Sequence, residues 1–168
     1  MAGGETGWDA FGGALAGALS QLQDRSHLLV SWADVPTVYA QFAQSSTELV
    51  VVTGADDVLP PDRRLGADGA ARLQASGWSP PTAGVAGKTW HFAVPWPARS
   101  ADYRRVAGLV VEVFRDVHRV PGANALEYRG WRDAQPGPEG VTYYEEDLEP
   151  AEPHLTFPDL EIRDAQEA

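Results

Sequence analysis

The clearest pattern in the chain is a pair of apolar stretches that read as neighbouring β-strands, residues 37–43 (TVYAQFA) and 49–52 (LVVV). In the first stretch apolar and polar positions alternate, which is typical of a strand with one buried face. The second stretch is apolar at every position, and four polar residues, 44–47 (QSST), separate the two. The pattern predicts an antiparallel β-hairpin over residues 37–53 at the centre of a sheet.

The two faces of the first strand are predicted to play different roles. Alternation gives them these members: Val38, Ala40 and Phe42 on one face, and Tyr39, Gln41 and Ala43 on the other. We expect the first face to pack beneath helices as core. The second face pairs a phenol with an amide, which suits recognition of a peptide backbone, although hydrogen-bonded polar groups inside a core would give the same pattern.

Apolar residues at spacings of three and four predict three helices, over residues 8–24, 66–76 and 100–117. The last of these is the strongest, with Ser100 as the expected N-cap. Gly77 is expected to end the middle helix as a C-terminal cap, because glycine adopts the left-handed conformation without strain. The sequence therefore predicts an N-terminal helix, a short middle helix and a long C-terminal helix.

Other apolar segments are shorter. Residues 89–94 (TWHFAV) predict a strand and residues 125–131 (ALEYRGW) a short edge strand, whereas residues 27–32 (HLLVSW) fit either a strand or chain tucked under the core. Residues 58–59 are expected to add a brief strand, and residues 82–87 to form a loop. Together the elements predict an α+β fold, with helices packed on an antiparallel sheet.

The acidity of the chain is concentrated at its C-terminal end. The formal charge is -11, and residues 145–168 hold nine of the 24 acidic residues and one of the 13 basic residues. A proline- and glycine-rich segment, residues 134–140, precedes them. The composition predicts a domain over residues 1–133 and an acidic tail over residues 134–168. Apolar residues spaced along that tail either dock on a groove, in this chain or in a partner, or leave the tail mobile.

Several classes of function are disfavoured by the composition. The negative charge argues against a nucleic-acid partner, which needs a basic footprint. No long apolar run or signal-peptide pattern is present, so we expect a cytoplasmic protein without a membrane partner. The sequence has no cysteine, phosphate-binding loop, dinucleotide motif, nucleophile elbow or paired histidines. We expect no cofactor, no metal and no catalytic activity.

The remaining titratable residues do not form a motif. An enzyme would need a site assembled from distant residues such as His91, Glu112 and Asp116. Asp116 and His118 lie two residues apart and do not share a helix face, so they make a poor acid and base pair. A cationic His118 at the helix C-terminus is explained by the helix dipole.

Six tryptophans in 168 residues exceed what one core usually needs, so part of the aromatic set is expected to line a binding surface. Trp96 lies between two prolines and is expected to be partly exposed. The candidate residues for binding a peptide or partner are Tyr39, Gln41, Trp78, Trp96, Tyr143 and Tyr144.

Four features of the chain together point to a family: YAQFA at residues 39–43, LQASGWSPP at residues 73–81, Trp90 with Phe92, and the helix over residues 107–117. In these features and in the order of its elements, the chain resembles the actinobacterial TY-Chap domains. Those domains are grouped with type III secretion chaperones and YbjN-like proteins as peptide-binding chaperones. The resemblance covers roughly residues 8–131 and implies helices packed on a curved antiparallel sheet that holds a peptide or protein without catalysis.

Three functions follow as hypotheses. The first is a chaperone-like module that holds a protein or peptide client. The second is an adaptor that docks through its acidic tail, and the third is an enzyme with a composite site. Deletion of residues 135–168 separates the first two, because an adaptor would lose its partner. A homodimer through the first helix or an exposed sheet edge is a further hypothesis.

Overall fold

A computed structural model of the chain describes residues 3–82 and 89–167. Its centre is a six-stranded sheet in the order β4-β3-β2-β1-β5-β6. The strands are β1 (Ser26–Trp32), β2 (Val35–Gln44), β3 (Glu48–Gly54), β4 (Thr89–Pro95), β5 (Leu126–Arg132) and β6 (Arg163–Asp164). All neighbours are antiparallel except β5 and β6, which are parallel. Most of the loop expected over residues 82–87 lies outside the described residues.

The described residues also form three α-helices: α1 (Gly3–Ser20), α2 (Gly66–Ser76) and α3 (Ser100–Glu112). The predicted α+β class is confirmed. The first helix begins earlier than predicted. It also ends earlier, because the chain turns through Arg25 at a positive φ of 67° to start β1 at Ser26. A π-helical turn, Val113–Val117, continues α3 to the predicted end of that helix.

The core lies between the helices and one face of the sheet. Val38, Ala40 and Phe42 of β2 are fully buried there, which confirms the face assigned to the core. Leu15 and Leu19 of α1 are likewise fully buried. Because hydrophobic residues of all three helices join one cluster with this face of the sheet, the helices pack on the same side of it.

The middle helix has the predicted bounds and the predicted cap. Gly77 adopts the left-handed conformation with φ 115°, and its N–H donates to the carbonyl of Gln74. The N–H of Trp78 donates to the carbonyl of Leu73 at 3.0 Å. These two bonds satisfy carbonyl groups that the end of the helix would otherwise leave unpaired.

Three sequence predictions of local structure are wrong. Val58 and Leu59 form a turn rather than a strand, with the N–H of Val58 donating to the carbonyl of Ala55. Ser100 is the first residue of α3 rather than its N-cap, which is Arg99 in an extended conformation. The strand β5 is not at the edge of the sheet, because the chain beyond it returns to pair with its outer side.

The segment 27–32, which sequence left ambiguous, is the strand β1 between β2 and β5. The acidic C-terminal part of the chain docks on its own domain. Phe157 and Leu160 are 8% and 3% exposed, and a 3-10 turn, Pro158–Leu160, packs against α1.

Candidate functional site

The face of the sheet opposite the core is the broadest candidate surface. We call it the open face, formed by residues of five strands: His27, Leu29, Ser31, Tyr39, Gln41, Ala43, Val50, Val52, His91, Ala93, Glu127, Arg129 and Trp131. Most of these side chains are half-buried, as expected where neighbouring side chains cover one another and no helix among the described residues covers the strand. The face is therefore available for contact.

The central row of the open face places one amide between two apolar side chains, with a basic residue and a histidine at its ends. The strand register places Gln41 between Leu29 of β1 and Val52 of β3. Leu29 is opposite Arg129 on its other side, and Val52 is opposite His91. Cross-strand neighbours of this kind lie about 5 Å apart, so the row is continuous. It offers apolar contact around a group that can both donate and accept hydrogen bonds.

A second row runs beside it and ends in a fixed aromatic pair. Ala43 lies between His27 and Val50, and the imidazole of His27 stacks on the indole of Trp131 with centroids 4.9 Å apart. The Nε2 of His27 is 2.7 Å from a carboxylate oxygen of Asp133. The stack and this contact hold the ring of His27 flat against its neighbour.

Tyr39 lies next to Gln41 along the open face, at one end of the rows. Its backbone carbonyl accepts a 2.6 Å hydrogen bond from the hydroxyl of Thr53, which secures β2 to β3 at this point. Burial raises the pKa of the Tyr39 phenol above its usual value. The phenol therefore stays protonated at neutral pH and can donate a hydrogen bond.

The two candidate tryptophans lie away from Tyr39 and Gln41. Trp78 is 2% exposed and packs edge-to-face on Phe92 with centroids 4.6 Å apart, so its ring presents no surface to a partner. Trp96 is 44% exposed and lines a groove between α1 and the start of α3, beside Gly17 and Tyr103. The groove lies on the helical side of the sheet.

Tyr143 and Tyr144 lie on a third surface. They are 44% and 71% exposed in residues 136–148, which we call the acidic loop. The base of this loop is closed by Gln135, whose N–H donates to the carbonyl of Glu149 at 2.9 Å. The carboxylate of Glu149 pairs with Arg25 and Arg132. Of the six candidates, the structure brings only Tyr39 with Gln41, and Tyr143 with Tyr144, into shared surfaces.

A further surface, not found from the sequence, lies where β5 faces α1. Residues 149–166, which we call the C-terminal strap, cover the outer side of β5 and place Phe157 and Leu160 against the domain. Both residues are among the apolar residues spaced along the acidic tail. That spacing indicates a segment that docks on a groove, but it does not distinguish docking on this chain from docking on a partner.

His118 is buried rather than cationic, which corrects the prediction from the helix dipole. It is 4% exposed, and burial, followed by the positive charge of Arg63, lowers its pKa to about 4 against an opposing effect of Asp56. The imidazole is therefore neutral at pH 7. Desolvation outweighs the helix dipole here because the ring lies inside the protein.

The residues named for a composite catalytic site are divided between two sides of the sheet. His91 is on the open face, whereas Glu112 and Asp116 both pair with Arg72, at 3.1 and 3.4 Å. Hydrogen bonds from Arg115, together with its charge and that of Arg72, lower the pKa of Asp116 despite some burial. Within residues 3–82 and 89–167 no group of three or more histidine, aspartate or glutamate side chains is arranged to hold a metal ion.

None of the helices described above combines the length and the apolar character needed to cross a membrane.

Comparison with known proteins identifies the family. A family model described as T3SS (YopN, CesT) and YbjN peptide-binding chaperone 3, TY-Chap3, matches residues 2–132. The match covers the helices and β1 to β5 and ends where the acidic part of the chain begins. Comparisons with curated proteins and with solved structures found no match. Because the model matches well over half of the chain, the protein belongs to the TY-Chap3 family of peptide-binding chaperones.

Proposed function

We propose that the protein binds an extended segment of a client protein on the open face of its sheet, without catalysing a reaction on it. Membership of a peptide-binding chaperone family supports the general role. The single observation that carries the choice of surface is the central row, in which Leu29, Gln41 and Val52 lie side by side on the face opposite the one on which the described helices pack.

The chemistry of the row suits a peptide more than a small polar ligand. Leu29 and Val52 are half-buried, so a client side chain that covers them removes further apolar surface from water. The amide of Gln41 can pair with a backbone N–H or C=O of any sequence. Tyr39 adds a second donor at one end. Such a surface holds chains by shape and apolar contact and tolerates many sequences.

The first prediction concerns a charge placed in the central row. Val52→Glu should weaken binding of peptides at least tenfold, because a client that covers the row would have to desolvate the new carboxylate. The probes are fluorescein-labelled 12-residue peptides selected on the full chain by phage display. Fluorescence anisotropy gives their dissociation constants, and circular dichroism checks that the variant is folded.

The matched control is Val141→Glu, the same exchange at a residue that is 62% exposed in the acidic loop. It should leave the dissociation constants unchanged. Equal binding by wild-type protein and Val52→Glu would contradict the proposal. Loss of binding in Val141→Glu alone would indicate that the client binds the acidic loop instead.

A second candidate function is that of an adaptor that docks a partner through the acidic loop. The exposure of Tyr143 and Tyr144 among Glu145, Glu146 and Asp147 favours it. The double variant Tyr143→Ser/Tyr144→Ser tests it more cleanly than deletion of residues 135–168, since the deletion also removes the strap from β5. An adaptor would lose its partner in the double variant, whereas a client on the open face would be retained. Homodimerisation stays a prediction, for which light scattering of the full chain gives the mass.

A further inference from the structure

The C-terminal strap makes the main-chain contacts that a separate peptide would make with a sheet edge. The N–H and C=O of Glu152 both bond to Arg132, and the N–H of Leu155 donates to the carbonyl of Gly130 at 2.8 Å. Farther along, the N–H of Ala165 donates to the carbonyl of Tyr128 at 2.9 Å. These bonds use groups on the outer side of β5 that would otherwise be unpaired in an edge strand.

Two apolar side chains anchor the strap beside that edge. The ring of Phe157 packs edge-to-face on Tyr128 with centroids 5.9 Å apart. Leu160 is 3% exposed, the turn that carries it packs against α1, and it lines a pocket together with Ala14 and Ala18 of that helix. We call this site, formed by the outer side of β5 and the adjoining side of α1, the edge groove.

The edge groove is shaped for close approach of a chain. A Cβ atom on Gly130 would lie 2.7 Å from the carbonyl oxygen of Leu155 and 2.7 Å from the ring of Phe157. Real Cβ atoms do not approach other atoms that closely, so a side chain at this position of β5 would force the strap away. The absence of a side chain at Gly130 therefore allows a peptide to approach β5 this closely.

Polar contacts secure the strap at both ends. Near its start, Glu149 pairs with Arg25 and Arg132. Near its end, the carboxylate of Asp164 accepts hydrogen bonds from the phenol of Tyr128 at 3.2 Å and contacts Nε2 of His154 at 2.6 Å. The sequence of contacts is thus an acid, an apolar residue, an aromatic residue and a leucine, along a segment that turns at Pro158–Leu160.

The strap lies outside the part of the chain that the family model matches, and the acidic loop joins it to β5. We propose that the edge groove is a second peptide-binding site, separate from the open face, and that the strap occupies it as an internal ligand. The external ligand is a peptide that repeats the pattern of Leu155, Phe157 and Leu160 behind an acidic residue and turns after the aromatic residue, as the strap does. It binds when the strap leaves the groove.

Competition from the strap lowers the apparent affinity of the external peptide. A segment joined by a short linker is present at a high effective concentration, so the groove is free in only a small fraction of molecules. The apparent dissociation constant rises in inverse proportion to that fraction. Weakening the strap in the full chain should therefore strengthen binding from solution.

The test uses a fluorescein-labelled synthetic peptide of residues 149–166 and the full chain carrying Phe157→Ser/Leu160→Ser. The peptide keeps both anchors, whereas the strap of the variant lacks them. The variant should bind the peptide at least tenfold more tightly than wild-type protein does. The control Pro150→Ser/Asp159→Ser changes two exposed residues of the same strap and should bind as weakly as wild-type protein. Adding Gly130→Val to the Phe157→Ser/Leu160→Ser variant should abolish the gain.

Absence of binding to a folded Phe157→Ser/Leu160→Ser variant would overturn the proposal, as would a gain that Gly130→Val leaves intact. A doubled mass before peptide is added would also overturn it, because the groove would then accept the strap of a second copy. If the double variant does not fold, a protease site replacing residues 138–140 allows the acidic loop to be cut after folding. Exchange of the cut strap for labelled peptide supports the proposal, and a strap that never exchanges in a folded protein refutes it.

Discussion

At the scale of single residues, the buried His118 gives the protein a definite dependence on pH. Its pKa of about 4 lies below the unfolded value of 6.5, so the unfolded chain binds the proton more readily between these values. The free energy of unfolding should fall as the pH falls through that window. At about 1.4 kcal/mol per pKa unit, the loss from this group reaches roughly 3 kcal/mol near pH 4.

Urea unfolding at pH 7 and pH 4.5 measures this effect, with His118→Gln as the comparison. The variant should lose less stability between the two pH values than wild-type protein does. The pKa values of Asp116 and Asp164 are lowered, so the loss of stability on protonating these carboxylates falls mainly below pH 4.5. It is also common to both proteins and therefore cancels in the comparison. Equal losses in the two proteins would show that another group is responsible.

Single residues also differ in how far sequence could predict them. Gly77 was predicted as a cap, because the residue type and its place after a helical pattern decide its conformation. The neutral state of His118 was not predicted. Its position near a helix end can be read from the neighbouring sequence, whereas its burial depends on residues that are distant in the chain. Trp78 illustrates the same limit, because the sequence around a tryptophan beside a turn does not indicate whether its ring is buried, as it is here, or exposed.

At the scale of elements, the sheet and the strap should differ in stability. Phe42 of β2 is fully buried at the centre of the core, and Phe42→Ala should cost about 3–5 kcal/mol of global stability. Phe157→Ala should act mainly by releasing the strap, because that segment joins the domain along one edge. Its effect on global unfolding should be smaller.

Hydrogen exchange distinguishes these outcomes. In Phe157→Ala the amides of Leu155 and Ala165, which bond to β5, should exchange much faster, while the amides of β1 and β2 keep their protection. Uniform loss of protection across the sheet would mean that the strap is an inseparable part of the core. Phe42→Ala serves as the reference for a global effect.

Prediction of elements succeeded where the pattern was strong within one segment. The hairpin of β2 and β3 and the helix α2 followed from local periodicity. The strand β1 did not, because a six-residue run with four apolar residues fits a strand or another buried segment until its two neighbours are known. The π-helical turn after α3 has no distinct sequence pattern, and the docking of the strap depends on residues far apart in the chain.

At the scale of the whole molecule, the chain combines a family domain with two candidate peptide surfaces. The open face is wide and has two apolar side chains beside an amide in its central row, whereas the edge groove is already filled by the strap. The two lie on different sides of the fold: one faces away from the helices and the other adjoins α1. A client could therefore occupy the open face while the strap stays in place.

The most direct measurement is a heteronuclear NMR titration of the isotope-labelled full chain with an unlabelled peptide selected by phage display. At 18.1 kDa the chain is well suited to it. Amide shifts should cluster at Leu29, Gln41 and Val52 and spare the acidic loop. Shifts confined to the acidic loop, or to the groove beside Trp96, would show that the open face is not where the client binds.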